Sequence, residues 1–298
     1  MIINNLMMKN QLVMNFMGWF IKYLHFNLKH LFVYSFALFV LESKSQTADT
    51  LNINYFVNNP YAFEEAGNTK GIEVEIVQEY VNWLNNKKKK TVIASFKASS
   101  NFDDFFSSTT KSSKNTIGLG SVTIGKEKAK SVDFTAAYLK NVAFCITNGN
   151  ALEIKKKTPD EIVKALGSMT ALTMENTTLS KYCSEIQKLY VKDMKIIFFA
   201  NENKILAEIA KNVLYFGYVD AVSFWFYLKS NPQKVLKTQK ILNQSKEELG
   251  FILPKGSPHK LLFDEFFSGA NGFKKTPAYK AILEKYLGSY MAQNVSVN

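Results

Sequence analysis

Arginine is absent from all 298 residues. The 37 basic residues are lysines, set against 25 acids for a net charge of +12. Nucleic-acid readers rely on arginine forks for phosphate and base edges. Here the lysines are scattered, with short runs only at 87–90 and 155–157, each where a loop is expected. They read as a solvated basic surface, and no nucleic-acid partner is expected. Histidine is nearly absent too, with only His259 beyond residue 30. That removes most histidine-based catalysis and most transition-metal sites, so neither cofactor nor metal is expected. Two cysteines remain, Cys145 in an apparent strand ("VAFCI") and Cys183 on an apparent helix ("TLSKYCSEI"). A disulfide and two buried free thiols both stand as readings.

A run of membrane-spanning length is also missing. The apolar stretch "LFVYSFALFVL" at 31–41 has eleven residues, about half of the ~20 a spanning helix needs. Lys22 and Lys29 precede it, and the small residues Ser43 and Ser45 follow. This is the pattern of a secretory signal cleaved after Ser45, with translation starting in effect at Met14 or Met17. An uncleaved anchor is the alternative, since "FMGWFI" at 16–21 adds apolar residues upstream. Residues 1–45 are therefore expected to be a signal peptide and the mature protein to be periplasmic. From Gln46 onward 33 lysines face 24 acids, +9, over 253 residues, enough for two substantial cores.

What is present is an alternation of strand and helix signals. "LNINYFV" (51–57) reads as a strand and 72–86 as a helix with one apolar face. Strand 91–96, a short helix capped by Asn101 or Ser100, and strand 115–122 follow. A second unit opens near 150 with "TPDEIVKALG", where Thr158 is the N-cap, Pro159 the first helical residue and Glu161 the capping-box partner. Strands at 169–174, 195–200 and 215–221 alternate with helices at 177–189 and 201–212. Two closing helices are expected at 257–268 and 277–288. The alternation implies α/β architecture, two lobes with mostly parallel sheets flanked by helices.

One stretch asks for a ligand. "GLGSVTIGKEKAKSVDFTAAY" ends a buried strand with hydroxyls and then lays down lysines. It resembles the G-x-S/T-I-T-x-E-R-x-K-x-V-D-F-S-x-P-Y segment of periplasmic solute-binding proteins of the polar amino-acid type (extracellular solute-binding proteins, family 3). "NPYAFEEAGNTKGIEVEIVQEY", "MTALTMENTTLSKYC", "YFGYVDAV" and "ELGFILPKGSPHKLLFDEFF" resemble four further segments, in the family's order and spacing. The resemblance implies a type II periplasmic-binding-protein-like fold with two hinge strands, near 145–150 and 233–240. Residues 46–148 would be the first part of lobe one, 149–234 lobe two, and 235–298 the completion of lobe one.

The resemblance also implies a ligand site between the lobes. Ser121, Val122 and Thr123 would offer backbone groups and hydroxyls at a strand end. Lys128 stands where the family carries an arginine that forks onto the ligand's α-carboxylate, leaving a point charge without the fork; a solvated lysine is the plain alternative. Thr177 and Thr178, with Asn176 replacing a glycine, would start a helix whose free N–H groups suit an anion, or would form an ordinary cap. Where the family places an acid for the α-ammonium, this chain has Trp225, and the next acid is Glu247. The indole would cover a cation or stack on the ligand, or else pack in a core. Phe102, Tyr61 and Phe63 are candidate aromatic walls or core residues. Charge alone then suggests an anionic ligand that needs no free ammonium.

The expected function is capture of a small polar solute, amino-acid-like or anionic, by a monomer that closes on it for uptake through an ABC-type permease, without catalysis. A cyclohexadienyl-dehydratase-like enzyme on the same fold would need a placed acid or base, for which the sequence offers few candidates. The sensing half of a lytic enzyme would need an appended catalytic domain.

Overall fold

The computed structural model describes Gly18 and residues 48–297 except Ala270. The expected signal peptide and its 31–41 run lie outside the described residues. Among those described, no helix is long and apolar enough to cross a membrane.

The chain opens with β1 (Asp49–Phe56), β2 (Phe63–Glu65), β3 (Asn68–Lys70), α1 (Ile72–Asn86), β4 (Val92–Ser99), α2 (Phe102–Thr110), β5 (Thr116–Leu119) and β6 (Val132–Phe134). It continues through β7 (Leu139–Asn148), α3 (Pro159–Leu166), β8 (Thr170–Thr173), α4 (Thr178–Leu189), β9 (Ile196–Phe198) and α5 (Glu202–Lys211). Then come β10 (Tyr215–Asp220), α6 (Ala221–Ser230), β11 (Leu236–Thr238) and β12 (Gln244–Leu249). It closes with β13 (Ile252–Pro254), α7 (His259–Ser268) and α8 (Pro277–Val295).

Two sheets result. The first has the order β4-β1-β5-β13-β6, and the second β11-β7-β10-β8-β9 with β12 also on β7. Both are mixed. The β1–β4, β1–β5, β8–β10 and β8–β9 pairs are parallel, as helical crossovers require. β13 and β7 meet their neighbours antiparallel, because they belong to segments returning from the other sheet.

Local sequence explains most boundaries. α1 buries Ile72, Val74, Ile76, Val77, Tyr80 and Leu84, and enters at Gly71, whose φ is 130°. A Cβ there would lie 2.1 Å from the Tyr61 carbonyl oxygen, so only glycine fits. Asn101, Thr158 and Asn201 cap α2, α3 and α5 with their side-chain oxygens. Glu161 departs from the capping box, since its Oε2 accepts from the Lys155 and Lys156 amides. The β2–β3 hairpin went unread. Its turn at Ala66 (φ 49°) and Gly67 (φ 75°) puts an alanine where asparagine or glycine is the usual signal.

The core of the first unit is completed by the C-terminal segment. Tyr80 of α1 stacks on Phe263 of α7, ring centroids 3.8 Å apart. His259 is structural, lying 2.7 Å from both the Tyr80 hydroxyl and Asn115 Oδ1. Burial drives its pKa down to about 4. In the second unit Cys145 and Cys183 are buried free thiols, and burial pushes Cys183 up to about 12.

The chain passes between the sheets twice, in β7 and β12. These strands pair antiparallel, with Leu139 opposite Leu249, Asn141 opposite Glu247 and Ala143 opposite Gln244. The segments expected to be hinges, 145–150 and 233–240, fall inside the second sheet, because β11 pairs with the end of β7.

Candidate functional site

A cleft lies where the two units face each other. From the first unit it is lined by Phe102, Gly120, Ser121, Val122, Thr123 and Lys128. The crossing strands contribute Asn141 and Glu247. The second unit adds Met174, Thr177, Thr178, Leu179, Glu202 and Asp220.

The hydroxyl-rich turn after β5 is held from beneath. Gly120 passes so close to Phe105 that a Cβ would lie 2.5 Å from its ring. Ser121 takes a φ of 46°, uncommon for a residue with a Cβ. Its amide donates to Glu73 Oε1 at 3.0 Å, and its hydroxyl accepts from Asn58 Nδ2 at 3.2 Å. Glu73 is fully buried and also accepts from the Tyr138 hydroxyl at 2.6 Å. Burial raises its pKa to about 7, against the lowering pull of its bonds to Tyr138, Ser121 and Gly120. Thr123 bridges to Leu249, tying this turn to the end of β12.

Lys128 opens a short 3-10 turn and sits 5.9 Å from the Phe102 ring centroid. Burial first, and then Lys181, push its pKa down, while Glu247 pulls it up. On the facing unit Thr177 serves as a helix cap. Its hydroxyl accepts from the Ser180 amide at 3.2 Å and donates to the Met174 carbonyl at 2.8 Å. Thr178, the first residue of α4, also lines the cleft. Lysine and helix start thus meet across one space.

Four of the expected residues lie elsewhere. Trp225 is on the outer side of α6, 37% exposed, and its indole N–H donates to the Leu287 carbonyl at 2.9 Å. α8 breaks at Gly288 (φ 73°, ψ 162°), which strands that carbonyl and explains why the indole is needed there. Phe63 packs edge-on against Tyr286, away from the cleft. Tyr61 is fully buried and reaches across the units, its hydroxyl donating to Asp220 Oδ1 at 2.7 Å. Asn176 (φ 56°) donates to Asp103 Oδ2 at 2.7 Å, another contact between the units.

Three carboxyl groups line the cleft that sequence reasoning did not place there. Asp220 caps α6, accepting from the Ser223 amide at 2.8 Å and hydroxyl at 2.6 Å as well as from Tyr61. Glu202 accepts from the Asp220 amide at 2.9 Å. Burial, and then the neighbouring Asp220, hold its carboxyl well above the usual range. Glu247 accepts from Tyr182 at 2.5 Å and from Asn141 at 3.0 Å. Burial raises its pKa, and its hydrogen bonds partly oppose this. The expectation that no acid is available to an ammonium is therefore corrected. Glu247 was visible as the next acid after Trp225, but only the β7–β12 register brings it into the cleft. Among the described residues no group of three or more histidine, cysteine, aspartate or glutamate side chains could hold a metal.

No curated protein matches the sequence significantly. Solved structures do match in fold. The arginine-, lysine-, histidine-binding protein ArtJ from Geobacillus stearothermophilus has a TM-score of 0.64 at 20% identity, over 80% of this chain and 96% of that one. A structure described for glutathione import via GshT and the cystine ABC importer TcyBC of Streptococcus mutans has a TM-score of 0.63 at 16% identity, over 81% and 96%. The ancestral amino acid-binding protein AncCDT-1, a precursor of cyclohexadienyl dehydratase, has a TM-score of 0.59 at 19% identity, over 80% and 95%. The fold is thus the two-lobed type II periplasmic-binding-protein fold. The model of the bacterial extracellular solute-binding proteins, family 3, matches residues 56–289, and the chain belongs to that family.

Proposed function

We propose that the chain captures a small polar solute bearing an anionic group, closes its two lobes over it, and delivers it to the permease of an ABC-type importer. One observation carries this reading: Lys128 of lobe one and Thr178 at the α4 start of lobe two line the same cleft. A solute touching both bridges the lobes, so its binding free energy favours the closed arrangement. The anion-favouring charge of a helix N-terminus adds to the lysine. The hinge on this reading is the paired β7–β12 segment. Tyr61 with Asp220 and Asn176 with Asp103 support it, since both pairs join the lobes. Export with residues 1–45 removed, and action as a monomer, belong to the same proposal. The family's extracellular character supports the first, and the ABC importer named for the Streptococcus mutans relative supports the permease partner.

The test is to denature the purified exported protein and identify released solutes by mass spectrometry. A single small anion-bearing solute, lost from Lys128→Met, is the expected result. Retention by that variant at wild-type occupancy would contradict the role given to Lys128.

A second reading, a lyase on the same fold, is favoured by one observation. Glu202 lines the cleft with a carboxyl held well above the usual range, the property of a general acid. The same mass spectra separate the two. A binding protein returns the solute unchanged after incubation, whereas a lyase returns it lighter by the group it eliminates.

A further inference from the structure

The cleft holds a buried acceptor with nothing to accept. Asn141 is 4% exposed and donates through Nδ2 to Glu247 Oε2 at 3.0 Å, while its Oδ1 has no hydrogen-bond partner among the described residues. A buried carbonyl oxygen left so carries its full desolvation penalty, and such atoms in native proteins ordinarily mark a missing partner. Glu247, 7% exposed, accepts one hydrogen bond at each oxygen, from Tyr182 and Asn141. Each carboxylate oxygen keeps a second lone pair. Asn141 and Glu247 are directly paired across β7 and β12, so backbone register fixes them side by side. Both line the cleft.

The other two cleft carboxyls are set apart differently. Asp220 takes three donors from Tyr61 and Ser223. Among the described residues Glu202 accepts only from the Asp220 amide, but burial and the adjoining Asp220 hold its carboxyl well above the usual range, which disfavours the charge an ammonium needs. Lys128, the one lysine lining the cleft among the described residues, does not fill the acceptor site either, since no described carboxylate lies within 4.0 Å of its Nζ. The cleft therefore offers surplus donors at Lys128 and α4 and surplus acceptors at the crossing strands.

We propose that Glu247 and Asn141, on the paired crossing strands, recognise a protonated primary amine of the captured solute. This rests on the capture reading above and adds the second charged group. An ammonium brings three donors and a positive charge, matching one carboxylate and one orphaned carbonyl. A hydroxyl brings one donor and no charge, and a quaternary ammonium brings no N–H. Amine recognition thereby sits on the hinge instead of on α6, where Trp225 faces outward.

The experiment is calorimetric titration of wild type and Glu247→Gln with L-glutamine, L-arginine, L-lysine and L-histidine, and with the 2-hydroxy acid matching each binder. It is paired with an amine-reactive assay of the solute released from the protein. Replacing the amine by a hydroxyl should weaken wild-type binding about ten- to a hundredfold, the range for a hydrogen bond to a charged group. Glu247→Gln should weaken the amino acid by a similar factor and the hydroxy acid hardly at all. Because both probes are read on one variant, partial loss of folding cancels in their ratio. Equal weakening of both probes, a hydroxy acid that binds as well as its amino acid, or a released solute without a primary amine would each overturn the proposal while leaving capture intact. No released solute and no binding of any probe would instead remove the capture reading, and this inference with it.

Discussion

Glu73 places a fully buried carboxyl directly beneath the cleft-facing turn at Ser121. Its pKa, about 7 against an ordinary 4.5, means the folded state holds its proton more tightly than the unfolded chain. The stabilisation is full below about 4.5 and is lost as pH rises through about 7. His259 acts in the opposite sense, since a folded pKa of about 4 makes its contribution grow as pH rises from there towards 6.5. The two partly cancel in the wild type, so the variant is needed to see either one. Glu73→Gln should gain up to about 3 kcal/mol relative to wild type between pH 4.5 and 7. Thermal midpoints of both proteins across that range check the sign, and a constant difference would contradict the burial argument. Lys128→Met should weaken solute binding by about 1.5–3 kcal/mol, measured by calorimetry on the co-purified solute.

Among the elements, the kink of α8 and the indole that serves it form one unit. Gly288 adopts a φ of 73° and ψ of 162°, a region that other residues enter only with strain. A Cβ there would meet nothing within 4 Å, so Gly288→Ala tests backbone strain alone and should cost about 1–3 kcal/mol in denaturant unfolding. Trp225→Phe removes the donor from the Leu287 carbonyl and should cost about 1 kcal/mol of stability while leaving solute affinity unchanged. A loss of affinity would return Trp225 to the ligand. Elements whose signals are local were readable from sequence. Helix 72–86 was found at its full extent, and the caps at Asn101, Thr158 and Asn201 hold. The closing helix was read as 277–288, and the break in α8 at Gly288 agrees with that end; the second helical piece, which runs on to Val295, went unread.

For the molecule as a whole, five segments in fixed order were enough to read the two-lobed family and half of the cleft lining. Ser121, Val122, Thr123, Lys128, Thr177 and Thr178 all line it, together with Phe102. What could not be read were the groups that reach the cleft through long-range register. Glu247 lies 106 positions from Asn141 in the chain, yet beside it in the sheet. Trp225 fails for the converse reason, since its place in the motif says nothing of which side of α6 it occupies. The central claim is that the solute bridges the two lobes about the β7–β12 hinge. Small-angle X-ray scattering, with the co-purified solute first removed and then restored to saturation, tests this most directly. The account predicts a smaller radius of gyration on restoration, with a higher solute concentration needed to reach it in Lys128→Met; an unchanged radius at proven saturation of the wild type would contradict it.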